Sequence, residues 1–123
     1  MSTLFEWGEF TSHSGLTLSW KIKCDSLTDR DWATIARAIS GQIEFRAVVG
    51  VPTGGLKFAK ALQVYLKKKA SLTLLVDDVL TTGKAMEELR ASCPEPVRGI
   101  VLFARGPCPN WIIPIFALNK ALW

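Results

Sequence analysis

The sequence lacks the features that mark several specialised classes of protein. Its three cysteines, Cys24, Cys93 and Cys108, are far apart and in no Cys-x-x-Cys spacing, which argues against a disulfide framework or a zinc knuckle. No apolar run approaches the roughly 18 residues of a membrane span, and no basic start precedes an apolar stretch. Repeats and low-complexity stretches are also missing. These absences predict a soluble protein of the reducing cytoplasm.

Length and composition fit a single domain over residues 1–123. The hydrophobic fraction of 49%, with five Trp and six Phe, can form a core without disulfides. The net charge of +4 is modest, and its densest cluster is Lys67, Lys68 and Lys69. Such a charge suits a phosphorylated small molecule, or simply a solvated surface. Because no aromatic residues interleave with a basic patch, nucleic acid is an unlikely partner.

Hydrophobic periodicity predicts the order of strands and helices. Residues 16–24 alternate as a half-buried strand does, which indicates a small antiparallel element near the N-terminus. Thr28 and Asp31 resemble a capping pair for a helix from Asp29 to Ser40. Further strands are predicted at 45–51, 72–76, 97–104 and, at an edge, 112–118, and further helices at 56–66 and 84–92. Alternating strands and helices predict an α/β fold, a three-layer parallel sheet flanked by helices.

A polar segment follows the predicted strand at 72–76. Asp77 and Asp78 come directly after the apolar residues, and the turn 81–83, Thr-Thr-Gly, precedes the next helix. Unpaired N–H groups at a helix start suit a phosphate, and adjacent carboxylates suit sugar hydroxyls or a divalent cation. A phosphorylated sugar satisfies both requirements. The simpler alternative is that Asp77 caps the strand, Asp78 is solvated and a threonine is an ordinary N-cap.

The segment 74–83 resembles the phosphoribosyl-pyrophosphate (PRPP) signature of the type I phosphoribosyltransferases. The resemblance implies that Asp77 and Asp78 are catalytic residues that hold the ribose hydroxyls. The residues that it implies for the ribose and the 5-phosphate are Asp77, Asp78, Val79, Leu80, Thr81, Thr82, Gly83, Lys84 and Ala85. The family usually ends this turn with Thr or Ser, whereas Ala85 has no hydroxyl, so we expect weaker phosphate binding.

A second polar turn follows the predicted strand at 45–51, and it resembles the pyrophosphate loop of the same family. Its glycines permit close approach to a ligand, and Lys57 or Lys60 can add charge. The residues that the resemblance implies for pyrophosphate are Pro52, Thr53, Gly54, Gly55 and Lys57. The alternative is a plain turn between a strand and a helix.

Residues 7–15 resemble the N-terminal segment that folds over the base in orotate phosphoribosyltransferases. Arg105 follows the strand at 97–104, where those enzymes place a base-contacting arginine. The resemblance thus implies base contacts by His13, Trp20 and Arg105. Orotate enzymes have a lysine at the position of His13, which is neutral over much of the physiological pH range, so an orotate carboxylate would lose a fixed cation. An exposed loop residue is the alternative for His13.

One family segment is missing from the sequence. Members insert a strand and a long mobile loop before the PRPP strand, and this loop brings basic residues over the pyrophosphate. Here only Ala70 and Ser71 separate Lys69 from Leu72. A mobile loop of this kind excludes water and adds positive charge around the pyrophosphate. Because it is missing here, we expect turnover to be slow or lost. The lysines 67–69 of a neighbouring subunit are one hypothetical substitute, and solvated helix-end charges are the alternative.

The resemblance as a whole implies a magnesium-dependent phosphoribosyltransferase that acts on a nucleobase-like heterocycle in nucleotide synthesis or salvage. Mg²⁺ would bind together with PRPP, and a homodimer is implied by the resemblance alone. The alternative is a catalytically weak or inactive regulatory protein that binds PRPP or a nucleotide, which the missing loop favours. Neither a membrane nor nucleic acid is expected as a partner.

Overall fold

The computed structural model of the chain describes residues 3–11 and 17–118. Its elements in chain order are β1 (Phe5–Thr11), β2 (Thr17–Ile22), α1 (Asp29–Ser40), β3 (Ala47–Gly50), α2 (Leu56–Leu62), β4 (Thr73–Leu80), α3 (Lys84–Ala91), β5 (Val97–Ala104) and β6 (Ile112–Ala117). Short 3-10 turns lie at Cys24–Ser26 and Gln63–Tyr65. Among the described residues, no helix has the length and apolar character needed to cross a bilayer.

Strands β3 to β6 form a parallel sheet in the order β3-β4-β5-β6. Helices α1 and α2 cover one face, where the rings of Trp32 and Phe58 pack at a tilt with their centroids 5.0 Å apart. Helix α3 contributes the buried Met86 to the core on the other face. Because both faces are covered, the strands are apolar on both sides. The predicted three-layer α/β fold is confirmed, with β6 at the edge.

The central strand β4 extends further than its sequence predicts. The apolar run suggests an end at Val76, but pairing with β5 continues through Asp77, Val79 and Leu80. The backbone ladder therefore continues past the point where the apolar residues stop. As a result, both acidic residues lie within a strand of the sheet. In contrast, α2 is shorter than predicted and ends at Leu62, where a 3-10 turn replaces its last turn.

Strands β1 and β2 pair antiparallel in a separate two-stranded sheet, which confirms the small N-terminal antiparallel element. The sequence did not predict β1 as a strand. The Phe5 ring lies 6.4 Å from the ring of Phe103, and the Trp20 carbonyl accepts a hydrogen bond from the Arg105 side chain. This hairpin therefore lies beside the carboxyl end of β5. His13 lies outside the described residues.

The segment between α2 and β4 is fully described and contains no additional strand. The Lys67 N–H donates to the Phe45 carbonyl (2.8 Å), and the Arg46 N–H donates to the Leu72 carbonyl (2.8 Å). These bonds place the lysine cluster 67–69 beside the amino-terminal ends of β3 and β4. Within one chain, the cluster is thus at the opposite end of the sheet from the acidic pair.

The start of α1 provides a test of the local structure. The Thr28 hydroxyl accepts the Asp31 N–H (3.1 Å), and the Asp31 carboxylate accepts the Thr28 N–H (2.8 Å), which is a capping box. We expect Thr28→Ala to lower the free energy of unfolding by about 1 kcal/mol, measured by urea denaturation. Thr34→Ala, within the same helix, is the control and should cost nothing because alanine is the better helix former. An equal loss in both variants would contradict the capping role.

Candidate active site

A cavity of about 640 Å³ opens at the carboxyl ends of β3 and β4. Sequence-predicted residues form much of its wall, namely Pro52, Thr53, Gly54, Asp77, Asp78, Val79, Leu80, Thr81, Thr82, Gly83, Lys84, Ala85 and Arg105. The topology brings these residues together because parallel strands end at the same edge of a sheet. Two distant stretches of sequence therefore contribute to one site.

Some predicted site residues lie elsewhere. Gly55 is buried beside β4, where a methyl group would overlap the Val76 carbonyl oxygen. Lys57 is exposed on α2 and is not part of the cavity wall. Trp20 is outside the wall as well, although it contacts Arg105.

The adjacent acids Asp77 and Asp78 are hydrogen-bonded to one another through the backbone. The Asp78 N–H donates to Asp77 Oδ1 (2.8 Å), and the Val79 N–H donates to Asp78 Oδ1 (2.7 Å). Burial, followed by the interaction with the Asp78 side chain, raises the pKa of Asp77 from 3.8 to about 8. Asp77 therefore holds a proton near neutral pH. A bound cation would favour its ionised form.

The turn after β3 packs directly against these acids. The Val51 N–H donates to the Val76 carbonyl (2.9 Å), and the Gly55 N–H donates to the Val51 carbonyl (2.7 Å). The peptide bond between Pro52 and Thr53 in this turn is cis. The two hydrogen bonds hold the predicted pyrophosphate turn beside the carboxyl end of β4.

The turn before α3 presents backbone donors to the cavity. Gly83 has a φ of 82° at the helix start, a conformation that other residues rarely adopt. The Thr82 hydroxyl accepts the Lys84 N–H at 3.4 Å. Behind the turn, the Arg105 N–H donates to the Leu80 carbonyl (2.8 Å). The first N–H groups of α3 have no partner within the helix, so they suit a phosphate.

Arg105 is held by the hairpin on the other side of the cavity. Its guanidinium carbon lies 3.6 Å from the centroid of the Trp20 ring, and Nη1 donates to the Trp20 carbonyl. Loss of solvent lowers the pKa of Arg105, but the guanidinium remains charged at neutral pH. Trp20 therefore orients Arg105 and is not itself a cavity-lining residue.

The sequence did not predict part of the wall, namely Lys21, Ile22, Lys23, Cys24, Asp25, Val51, Met86 and Glu88. The Lys23 ammonium lies 3.1 Å from the Glu6 carboxylate of β1. Burial raises the pKa of Cys24 to about 12, with smaller contributions from the charges of Asp78, Asp25 and Asp77. The thiol is therefore neutral. The strand-like alternation of 16–24 was the available signal, but alternation alone does not indicate which residues face a cavity.

The comparisons with known proteins agree with this geometry, although no protein-family model matches the chain. The chain is 34% identical to the orotate phosphoribosyltransferase of Pyrobaculum aerophilum over 99 aligned positions, which cover 58% of this chain and 51% of that protein. The match thus spans about half the length of that relative.

Three solved structures have the same fold. Orotate phosphoribosyltransferase from Aeropyrum pernix matches 97% of this chain and 91% of its own, with a TM-score of 0.72 and 24% identity. UMP synthase from Leishmania donovani matches 97% of this chain and 34% of its own (TM-score 0.66, 19% identity). The orotate phosphoribosyltransferase of Mycobacterium tuberculosis matches 94% of this chain and 90% of its own (TM-score 0.63, 16% identity). The chain has a type I phosphoribosyltransferase-like fold.

Within this phosphoribosyltransferase-like fold, Asp77 and Asp78 are the residues best suited to hold a divalent cation. Their carboxylate oxygens are the ligand type that Mg²⁺ prefers. Among residues 3–11 and 17–118, no group of three or more His, Cys, Asp or Glu side chains is arranged to hold a metal ion. Any other oxygen ligands would have to come from substrate or water.

The raised pKa of Asp77 predicts how the stability of the protein changes with pH. The folded state holds the proton up to a pKa of about 8, whereas the ordinary value is 3.8. The stability that this proton provides is complete at low pH and decreases as pH rises through that interval. Asp77→Asn removes the titration, so its stability relative to the wild type should increase between pH 5 and about pH 8.5.

Urea midpoints at constant ionic strength would measure this change. The exposed Asp29→Asn variant is the control, and its difference from the wild type should stay constant across the same interval. If the difference in stability between Asp77→Asn and the wild type does not change with pH, the raised pKa of Asp77 is contradicted.

Proposed function

We propose that the chain is a magnesium-dependent phosphoribosyltransferase that transfers the phosphoribosyl group of PRPP to a nucleobase-like heterocycle, in nucleotide synthesis or salvage. The observation that carries the proposal is that the acidic pair, the turn at 52–54 and the start of α3 all open onto one cavity. The similarity to an orotate phosphoribosyltransferase supports the same class of reaction.

The cavity offers a separate group for each part of PRPP. Carboxyl oxygens of Asp77 and Asp78 accept hydrogen bonds from the ribose hydroxyls. The first N–H groups of α3 and the hydroxyls of Thr81 and Thr82 donate to the 5-phosphate. The backbone of the turn at 52–54 meets the pyrophosphate. These contacts fix the sugar with its C1 atom accessible to the acceptor.

The reaction needs no nucleophilic side chain. A ring nitrogen of the acceptor forms a bond to C1 of the ribose while the bond from C1 to the pyrophosphate oxygen breaks, and the electron pair leaves with pyrophosphate. Positive charge develops on the ribose ring, beside the carboxyl groups of Asp77 and Asp78, and negative charge on the leaving group, beside the turn at 52–54. Positioning of the two reactants accounts for much of the rate.

The donor set fits a magnesium ion that arrives with PRPP. Two carboxyl groups can supply only some of the oxygen ligands that Mg²⁺ prefers, so phosphate oxygens and water would supply the others. When bound, Mg²⁺ supplies positive charge that offsets the charge of pyrophosphate. Asp77 and Asp78 are the residues that would hold it.

The acceptor side of the proposal involves Arg105 and His13. Arg105 is oriented by Trp20 and lines the cavity, so its remaining N–H groups can donate to a carbonyl or ring nitrogen of a base. A homodimer, on the basis of the family resemblance, and a cytoplasmic location, on the basis of the three free cysteines, complete the proposal.

An assay of pyrophosphate release tests this function. The protein is incubated with PRPP, with and without Mg²⁺, and with a panel of nucleobases that includes orotate. We expect one base to give a nucleotide and an equal amount of pyrophosphate, only with Mg²⁺. Asp78→Asn should lower kcat/KM by about 10²-fold or more because it removes charge beside the reacting ribose. The exposed Asp29→Asn is the matched control. If no base gives a nucleotide or pyrophosphate, the proposed phosphoribosyltransferase activity is refuted.

A second candidate function is a regulatory protein that binds PRPP or a nucleotide with little or no turnover. The observation that favours it is the direct connection between α2 and β4, since a lid is one means by which enzymes exclude water from a reaction. The lysine cluster 67–69 lies at the other end of the sheet and cannot cover the cavity of its own chain. Tight PRPP binding in calorimetry, together with no pyrophosphate release from any base, would identify this function.

Ala85 provides a separate test of the phosphate position. It lies in the first turn of α3 and lines the cavity, so a hydroxyl there can donate to the 5-phosphate. A hydrogen bond to a charged group is worth about 1.5 to 3 kcal/mol, so Ala85→Thr should tighten PRPP binding by about tenfold or more in calorimetry. Ala91→Thr, at the other end of α3, is the control and should leave the affinity unchanged. Weaker binding in Ala85→Thr would place the phosphate elsewhere.

A further inference from the structure

The turn after β3 packs against the acidic pair where Gly54 lies beside the Asp78 carboxyl. A methyl group on Gly54 would lie 2.6 and 2.7 Å from the two carboxyl oxygens of Asp78 and 2.8 Å from its Cγ. These distances are well below the approximately 3.5 Å at which nonbonded atoms pack best. The φ of Gly54 is not positive, so the backbone itself would accept alanine. The three atoms that a methyl group there would meet first all belong to the Asp78 carboxyl.

The Asp78 carboxyl is also held by the backbone of β4, because its Oδ1 accepts the Val79 N–H at 2.7 Å. The carboxyl therefore has a backbone hydrogen bond within its own strand and lies against the Cα of Gly54. A group added at Gly54 would push it away from this place.

We propose that Gly54 is a positioning residue for Asp78, which makes the turn at 52–54 and the sugar-binding acids one unit. This inference rests on the proposed function for the identity of the ligand, whereas the contact itself does not. It differs from a role in which Gly54 only allows pyrophosphate to approach. In that role, replacement of Gly54 by alanine would weaken PRPP binding by the same factor with or without the Asp78 carboxyl.

The neighbouring glycines, Gly50 and Gly55, lie against backbone atoms and not against a side chain that binds ligand. A methyl group on Gly55 would overlap the Val76 carbonyl and lie 2.7 Å from the Val51 nitrogen, and one on Gly50 would lie 2.5 Å from the Gly55 carbonyl oxygen. Those partners are backbone atoms that cannot move without the strands. The Asp78 carboxyl, in contrast, can turn about its side-chain bonds. We therefore expect alanine at Gly54 to move a functional group and alanine at Gly55 to damage the fold.

A double-mutant cycle on PRPP binding tests the proposal. Calorimetry gives the dissociation constant for the wild type, Gly54→Ala, Asp78→Ala and the double variant. We expect Gly54→Ala to raise the dissociation constant about tenfold or more in the wild-type background, but less than about twofold in the Asp78→Ala background. An equal factor in both backgrounds, or no increase in the wild type, would overturn the proposal.

A second measurement needs no ligand. The Val79 amide resonance reports the hydrogen bond to Asp78, and it should shift in Gly54→Ala. Gly41→Ala is the control, because its methyl would make only an ordinary contact 3.6 Å from the Ala38 carbonyl oxygen. Gly54→Ala should keep the wild-type Tm, whereas Gly55→Ala should lower it. An unmoved Val79 amide, or loss of the fold in Gly54→Ala, would overturn the proposal. If the wild type does not bind PRPP, the proposed function fails, and the Val79 amide still decides the role of Gly54.

Discussion

The pairing of β4 with β5 beyond the end of the apolar run is the constraint on which the site depends. The ladder continues through Asp77 to Leu80, so the backbone of both acids is fixed by strand pairing. Strand pairing holds Asp77 in a largely buried place. Burial, and after it the interaction with the Asp78 side chain, raises the pKa of Asp77 to about 8. The sheet therefore sets the protonation of this acid, which the isolated sequence would not do.

The same strand end organises the other parts of the cavity. The Val76 carbonyl holds the turn after β3 through Val51, and the Leu80 carbonyl holds Arg105. Through Arg105 the hairpin is attached as well, because the guanidinium stacks on Trp20. These parts of the wall are thus connected to β4 by backbone hydrogen bonds and, for the hairpin, by the Arg105 side chain. This connectivity explains how segments that are distant in the sequence form one site.

The sequence predicts the central sheet and the polar turns well, because these depend on local patterns. The limits of α1 and the strand at 97–104 follow from a capping box and an apolar run, and both agree with the structure. The hairpin is different. Strand β1 has no clear alternation, and only pairing with β2 makes it a strand. For the same reason Lys23 and Cys24 could not be recognised as part of the wall, because their position depends on how the hairpin docks. Contacts made by tertiary docking leave little trace in the sequence.

The direct connection between α2 and β4 determines which described groups supply positive charge to the cavity. The lysines at 67–69 lie beside the amino-terminal ends of β3 and β4. The four residues of β3 alone span about 13 Å, and β4 has eight residues. The cations of the described wall are instead Lys21, Lys23, Lys84 and Arg105. They belong to the hairpin, to the start of α3 and to the end of β5, all of which are fixed by strand pairing or by a helix. The positive charge of the described wall is therefore carried by residues in or directly after the β-strands and at the start of α3, and not by the segment between α2 and β4.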